Sequence, residues 1–97
     1  MNILRSVTER GFKVIEFIDR YEQKCNIQKS SQGDAIWLGI EKAEPKILAS
    51  KIMDGGTGWV SYPIHEDVMI NTRMHLTVDQ VRELLPILQK FVDTGKL

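Results

Sequence analysis

Met74-His75-Leu76-Thr77-Val78-Asp79-Gln80-Val81-Arg82-Glu83-Leu84-Leu85-Pro86-Ile87-Leu88-Gln89-Lys90-Phe91-Val92-Asp93-Thr94-Gly95 decides the fold. It reads as the end of a strand running directly into the one convincing helix of the chain. Thr77 is a good N-cap, because its hydroxyl accepts from a free N–H of the first turn. Gln80, three residues on, completes a capping box by reaching back to the Thr77 N–H. Asp79 and Glu83 lie near the positive end of the helix dipole, and Lys90 and Lys96 near the negative end. Gly95 suits the left-handed residue that closes a helix. The signals agree on a helix over 77–95.

Val78, Val81, Leu84, Leu85, Ile87, Leu88, Phe91 and Val92 recur at helical spacing. Their stripe is broad. It fits a helix lying across its own sheet, or one that also meets a second surface such as a partner subunit. Pro86 removes one helical hydrogen bond and crowds the Arg82 carbonyl. Either the helix kinks there or it begins only near Leu85.

Working outward from the helix, Phe12 to Asp19 is rich in β-branched and aromatic residues and reads as a strand. Asp19 to Lys24 is its turn. Cys25 to Ser30 alternates as the second strand of a hairpin. Ser30 to Asp34 is a loop, and Ala35 to Glu41 is a central, nearly all-apolar strand in which Trp37 is expected in the core. Met1 to Gly11 reads as a peripheral extension. Lys46 to Met53 suits a strand or a short helix. Asp54-Gly55-Gly56-Thr57-Gly58 is a turn or exposed loop, and Trp59 to Ile64 is a short edge segment, since Pro63 cannot donate to a ladder. Val68 to Leu76 is the last strand, with Met74 and Leu76 facing the core and Arg73 and His75 on the other side. The expected fold is α+β: a small antiparallel sheet of four to six strands with one C-terminal α-helix packed on it. Residues 1–97 form one domain, with a loop-rich insertion over 42–67.

Thirteen basic and thirteen acidic residues balance to zero net charge, which argues against a bulk grip on nucleic acid. One cysteine, Cys25, excludes an internal disulfide and a multi-thiolate metal site, and fits a reducing cytoplasm. No run approaches the ~18 apolar residues of a transmembrane helix, and no signal-peptide core stands at the N-terminus. No cofactor motif is present.

Several side chains invite chemistry. Cys25 with His65 or His75 offers a nucleophile and a base, but nothing in their spacing says that they meet. His65, Glu66, Asp67 and His75 follow no metal-ligand spacing. Phosphate has two candidate cradles. One is the glycine loop, which lacks the lysine and helix of a P-loop. The other is Gln28-Lys29-Ser30-Ser31 together with Arg73. Trp59 and Tyr62, flanked by glycine and proline, suit an exposed pair that stacks on a base or anchors a partner, with Gly55 and Gly56 in the same contact loop.

Phe17-Ile18-Asp19-Arg20-Tyr21, Gln23-Lys24-Cys25-Asn26-Ile27-Gln28-Lys29-Ser30-Ser31, Ile36-Trp37-Leu38-Gly39-Ile40, Arg73-Met74-His75-Leu76-Thr77, Leu84-Leu85-Pro86, Phe91 and Thr94-Gly95 together resemble a group of small proteins encoded by bacteriophages and prophages. These share a D-x-Y/N-G-x-x-C-x-x-Q-x-S-S segment, an I-W-L-G strand and an M-H-L-T entry to the closing helix. Glu22 departs from that pattern, where glycine is preferred. Residues 43–71 carry no part of the resemblance. It implies a non-enzymatic phage accessory protein of the host cytoplasm that counters antiviral defence by binding, as a homo-oligomer. One form is a sponge for a nucleotide immune signal, using Lys29, Ser30, Ser31 and Arg73 for phosphate and Trp59 or Tyr62 for the base. A second is an anti-CRISPR-like inhibitor of a host protein complex, acting through the Gly55–Pro63 loop. A small enzyme is the third reading.

Overall fold

The structure is a computed structural model and describes residues 1–97. Residues 1–41 and 73–97 form one compact unit, and residues 42–72 a second. The first unit is a five-stranded antiparallel sheet in the order β1-β2-β3-β4-β7, with β1 Leu4–Val7, β2 Lys13–Ile18, β3 Lys24–Lys29, β4 Ala35–Ile40 and β7 Arg73–Thr77. Leu4–Val7 is therefore a paired edge strand and not a peripheral extension: Leu4 opposes Glu16 and Val7 opposes Lys13. The second unit pairs β5 Lys46–Leu48 with β6 Trp59–Ser61, joined through a 3-10 turn at Ala49–Lys51. The ambiguous stretch 46–53 is thus a short strand followed by a single tight turn.

The β2–β3 turn is written locally. Asp19 Oδ1 accepts from the Tyr21 and Gln23 N–H groups at 2.8 and 2.9 Å, and Asp19 N donates to Gln23 O at 3.1 Å. These bonds drive Glu22 into the left-handed region at φ 64°, the one non-glycine residue with positive φ in the chain. An L-residue there carries about 1–2 kcal/mol of strain, whereas glycine carries almost none. Glu22→Gly is therefore expected to raise stability by about 0.5–1 kcal/mol once the extra unfolded-state entropy of glycine is counted. A urea midpoint below that of the parent protein would contradict it.

Strand pleat sorts the sheet into two chemically different faces. Cross-strand register places Ile15 and Phe17 of β2, Cys25 and Ile27 of β3, Ile36, Leu38 and Ile40 of β4, and Met74 and Leu76 of β7 on one side. Asn26, Gln28 and Ser30, then Trp37 and Gly39, then Arg73 and His75 share the other. Trp37 thus belongs to the polar side and is only half-buried, not a core residue. Met74, expected inside, is 56% exposed. The buried apolar residues are few (Val14, Cys25, Ala35 and Ala49), and no large side chain is fully buried.

The last strand is shorter than the Val68–Leu76 run of β-favouring residues. Its ladder stops at Arg73 opposite Gly39, one residue before β4 ends at Ile40, so the run before Arg73 has almost no strand to pair with. The C-terminal helix α1, Val78–Thr94, begins and ends where its signals placed it. Gln80 N donates to Thr77 Oγ1 at 3.2 Å, Thr77 N donates to Gln80 Oε1 at 2.9 Å, and Gly95 closes the helix at φ 72°. It runs unbroken through Pro86, which excludes a start near Leu85. The α+β architecture is as expected, but α1 does not bury its stripe against the sheet: it has no buried residue. Thr77 is both the last residue of β7 and the N-cap, so no linker exists to fold the helix back, and the junction is pinned by Val78 N donating to Asp34 O at 3.0 Å.

Candidate ligand-binding site

The polar face of the sheet carries the most organised side-chain cluster of the chain. Arg73 of edge strand β7 reaches across β4 to β3, where its Nη1 donates to Gln28 Oε1 at 2.9 Å and to Asn26 Oδ1 at 3.2 Å. It crosses at Gly39, the residue in register between Arg73 and Asn26, where no side chain stands in its way. Its guanidinium lies 5.4 Å from the centre of the Trp37 ring, within cation–π range. His75, opposite Trp37, stacks on that indole with ring centres 4.0 Å apart and planes within 11°. His75 Nε2 and Ser30 Oγ share a hydrogen bond at 2.8 Å, and Ser30 Oγ also accepts from Gln32 N at 2.9 Å. Asn26 and Ser30 are buried, so these bonds satisfy groups that water does not reach.

Next to this cluster an open cleft of about 350 Å³ is lined by Thr8, Glu9, Arg10, Phe12, Gln28, Ser31 and Trp37. Gln28 and Trp37 belong to both. The cleft floor comes from β3 and β4, and its wall from the β1–β2 turn. That turn is fixed by Thr8, which exchanges bonds with Phe12 through both its backbone and its hydroxyl. Arg10 lies 5.4 Å from the Phe12 ring centre. The cleft therefore offers two aromatic surfaces, a guanidinium, two hydroxyls and an amide. Glu9 on the same rim opposes an anion placed beside it and directs negative charge toward Arg10 and Arg73.

Of the residues singled out from sequence, Ser30, Ser31 and Arg73 fall on this face. Lys29 does not. It points from the apolar side of β3, and its Nζ is occupied by Ser30 O at 3.2 Å and Gly33 O at 2.7 Å, so no Lys29–Arg73 phosphate clamp forms. Trp59 and Tyr62 lie in the second unit and are 66% and 49% exposed. There Tyr62 lines a shallow hollow with Pro45, Pro63 and Ile70. Gly55 and Gly58 take left-handed backbone, and Gly56 N donates to Met53 O at 3.0 Å. That donor is thus committed to the turn and not offered to an anion.

Cys25 and His75 occupy opposite faces of the sheet, so they form no nucleophile–base pair. Burial pushes the Cys25 thiol up, with the Asp19 and Glu41 carboxylates adding to the effect, which keeps it protonated at neutral pH. No group of three or more His, Cys, Asp or Glu side chains converges as a metal site, and no helix is long and apolar enough to cross a membrane. Comparison with protein-family models, curated protein sequences and solved structures finds no match.

Arg10, Phe12, Asn26 and Trp37 are assigned to no site from sequence, and Gln28 and His75 enter there only as part of a phosphate cradle and as a base or metal ligand. The signal was the matched alternation Asn26-x-Gln28-x-Ser30 and Arg73-x-His75. It becomes legible only once β4 is known to lie between those strands.

Proposed function

We propose that the protein acts by binding and not by turnover, and that its ligand is a nucleotide held on the polar face of the sheet. The observation that carries this reading is the Arg73–Trp37–His75 stack adjoining a cleft walled by Arg10 and Phe12. Aromatic faces suit a planar base, and guanidinium groups suit phosphate oxygens. The likeness to phage-encoded proteins supports the further step, sequestration of a nucleotide signal of host defence. In that reading Trp37 and Arg10 take the parts that Trp59 and Lys29 were expected to play.

Titration calorimetry against mononucleotides, cyclic dinucleotides and ADP-ribose derivatives tests this. At least one class should bind, and Arg10→Ala should weaken it about tenfold, a loss of ~1.4 kcal/mol. Absence of binding across the panel would overturn the proposal.

A second reading, inhibition of a host protein, is favoured by one observation. In the 42–72 unit Trp59, Met53 and Met69 are exposed at 66%, 64% and 84%. Large exposed apolar side chains of this kind anchor protein partners.

A further inference from the structure

The apolar face of the sheet and the apolar stripe of α1 are both uncovered, although each is what the other needs. A sheet with one apolar face requires a second layer. Here that face, spanning β2, β3, β4 and β7, is left half-exposed, with Cys25 its one buried member. Along α1, Leu85, Leu88, Phe91 and Val92 are 61%, 57%, 52% and 76% exposed. The chain exposes 8530 Å². A compact monomer of this mass exposes only about 5,700 Å², and two separately compact units of these sizes about 6,700 Å². The excess is thus on the order of 2,000 Å² whichever way the two units are counted. A stable obligate homodimer hides about 1,000 Å² or more per copy.

We propose that a second copy of this chain supplies the missing layer: α1 of each copy lies across the apolar sheet face of the other. The chain's own helix has no linker with which to fold back, since Thr77 ends β7 and caps α1 at once. It also starts from an edge strand, so the helix is free to reach a neighbour. Seventeen helical residues extend about 25 Å, which matches the ~20 Å width of five strands. Two-fold exchange satisfies both surfaces with one contact used twice, the usual closure of a homodimer. At the root of the helix an apolar notch of about 240 Å³, lined by Ile36, Leu76, Val78 and Val81, lies open to receive a side chain of the incoming helix. The contact uses the face opposite the polar cluster, so it stands or falls independently of nucleotide binding.

Sedimentation of the full chain should give twice 11.1 kDa at micromolar concentration. Mixing isotope-labelled and unlabelled copies and recording isotope-filtered NOE spectra should give cross-peaks between the Phe91 ring of one copy and the Ile27 and Leu38 methyls of the other. Leu88→Glu combined with Phe91→Glu should move the protein to the monomer mass. A monomer in the unmodified protein overturns the proposal. So do helix-to-sheet cross-peaks that arise only within one copy, which would mean that the helix covers its own sheet. A dimer without those cross-peaks overturns it as well.

Discussion

Replacing Gly39 by valine should disrupt the polar face of the sheet, although Gly39 itself makes none of that face's hydrogen bonds. Arg73 spans from β7 to β3 by passing over Gly39, in register with Arg73 on one side and Asn26 on the other. A branched Cβ there occupies the path of the arginine stem. The bonds at risk are those from Arg73 Nη1 to Gln28 Oε1 and Asn26 Oδ1. Asn26 is 8% exposed, so its amide oxygen has little water to turn to. An orphaned buried acceptor costs about 1–3 kcal/mol, and the charge-assisted bonds lost add to that, so the expected loss is about 3 kcal/mol. Arg73→Ala removes the same bonds together with the stem that crosses Gly39. Gly39 itself lies at φ 158°, where an L side chain is strained, so Gly39→Val should still cost stability on the Arg73→Ala background, but less than it does alone, because the part lost through the arginine is already gone. Urea denaturation of the four proteins gives the coupling. Additive losses would mean that Gly39 serves the backbone of β4 and not Arg73.

The contrast between what was and was not legible follows from the range of the forces involved. The helix was readable because its caps act within four residues: Thr77 and Gln80 satisfy one another, and Gly95 needs only its own φ. The β2–β3 turn was readable for the same reason, Asp19 bonding to residues two and four positions on. The site was not. Asn26, Trp37 and Arg73 meet through register across three strands, with Asn26 and Arg73 separated by 47 residues, and no local signal fixes a register over that distance. Trp37 looked like core because Ala35 to Ile40 is continuously apolar, a pattern suited to a strand covered on both faces. In the fold the strand is two-sided, and Trp37 serves as the aromatic element of a polar cluster. Helix docking is not legible for a different reason. An apolar stripe states that a surface must be covered, not which surface covers it.

Gly56→Ala is expected to destabilise the 42–72 unit more than a change at any neighbouring glycine. A Cβ at Gly56 would lie 2.8 Å from the carbonyl carbon and oxygen of Ala49 and 2.9 Å from its Cβ. Two of these three atoms are backbone, so relief requires moving the 3-10 turn and not swinging a side chain. Ala49 is 3% exposed, and its N–H donates to Gly58 O at 2.8 Å, so the turn and the glycine loop are locked to each other. Overpacking of this kind costs about 1–3 kcal/mol, and more where the backbone must shift. The unit has only the short β5–β6 pairing in reserve. Local opening should follow, seen as faster hydrogen exchange at the Ala49 and Tyr62 amides, by about tenfold or more, and as proteolytic cleavage within 42–72. Gly55→Asn is the control. Its site is left-handed at φ 76° with nothing within 4 Å of an added Cβ, and asparagine tolerates that conformation. Exchange rates should change little. Equal acceleration in both variants would mean that loop flexibility, and not the close approach of Gly56 to Ala49, governs the unit. If Gly56→Ala also abolishes capture of a protein partner while Gly55→Asn preserves it, the glycines shape the Trp59 surface from beneath and do not touch the partner.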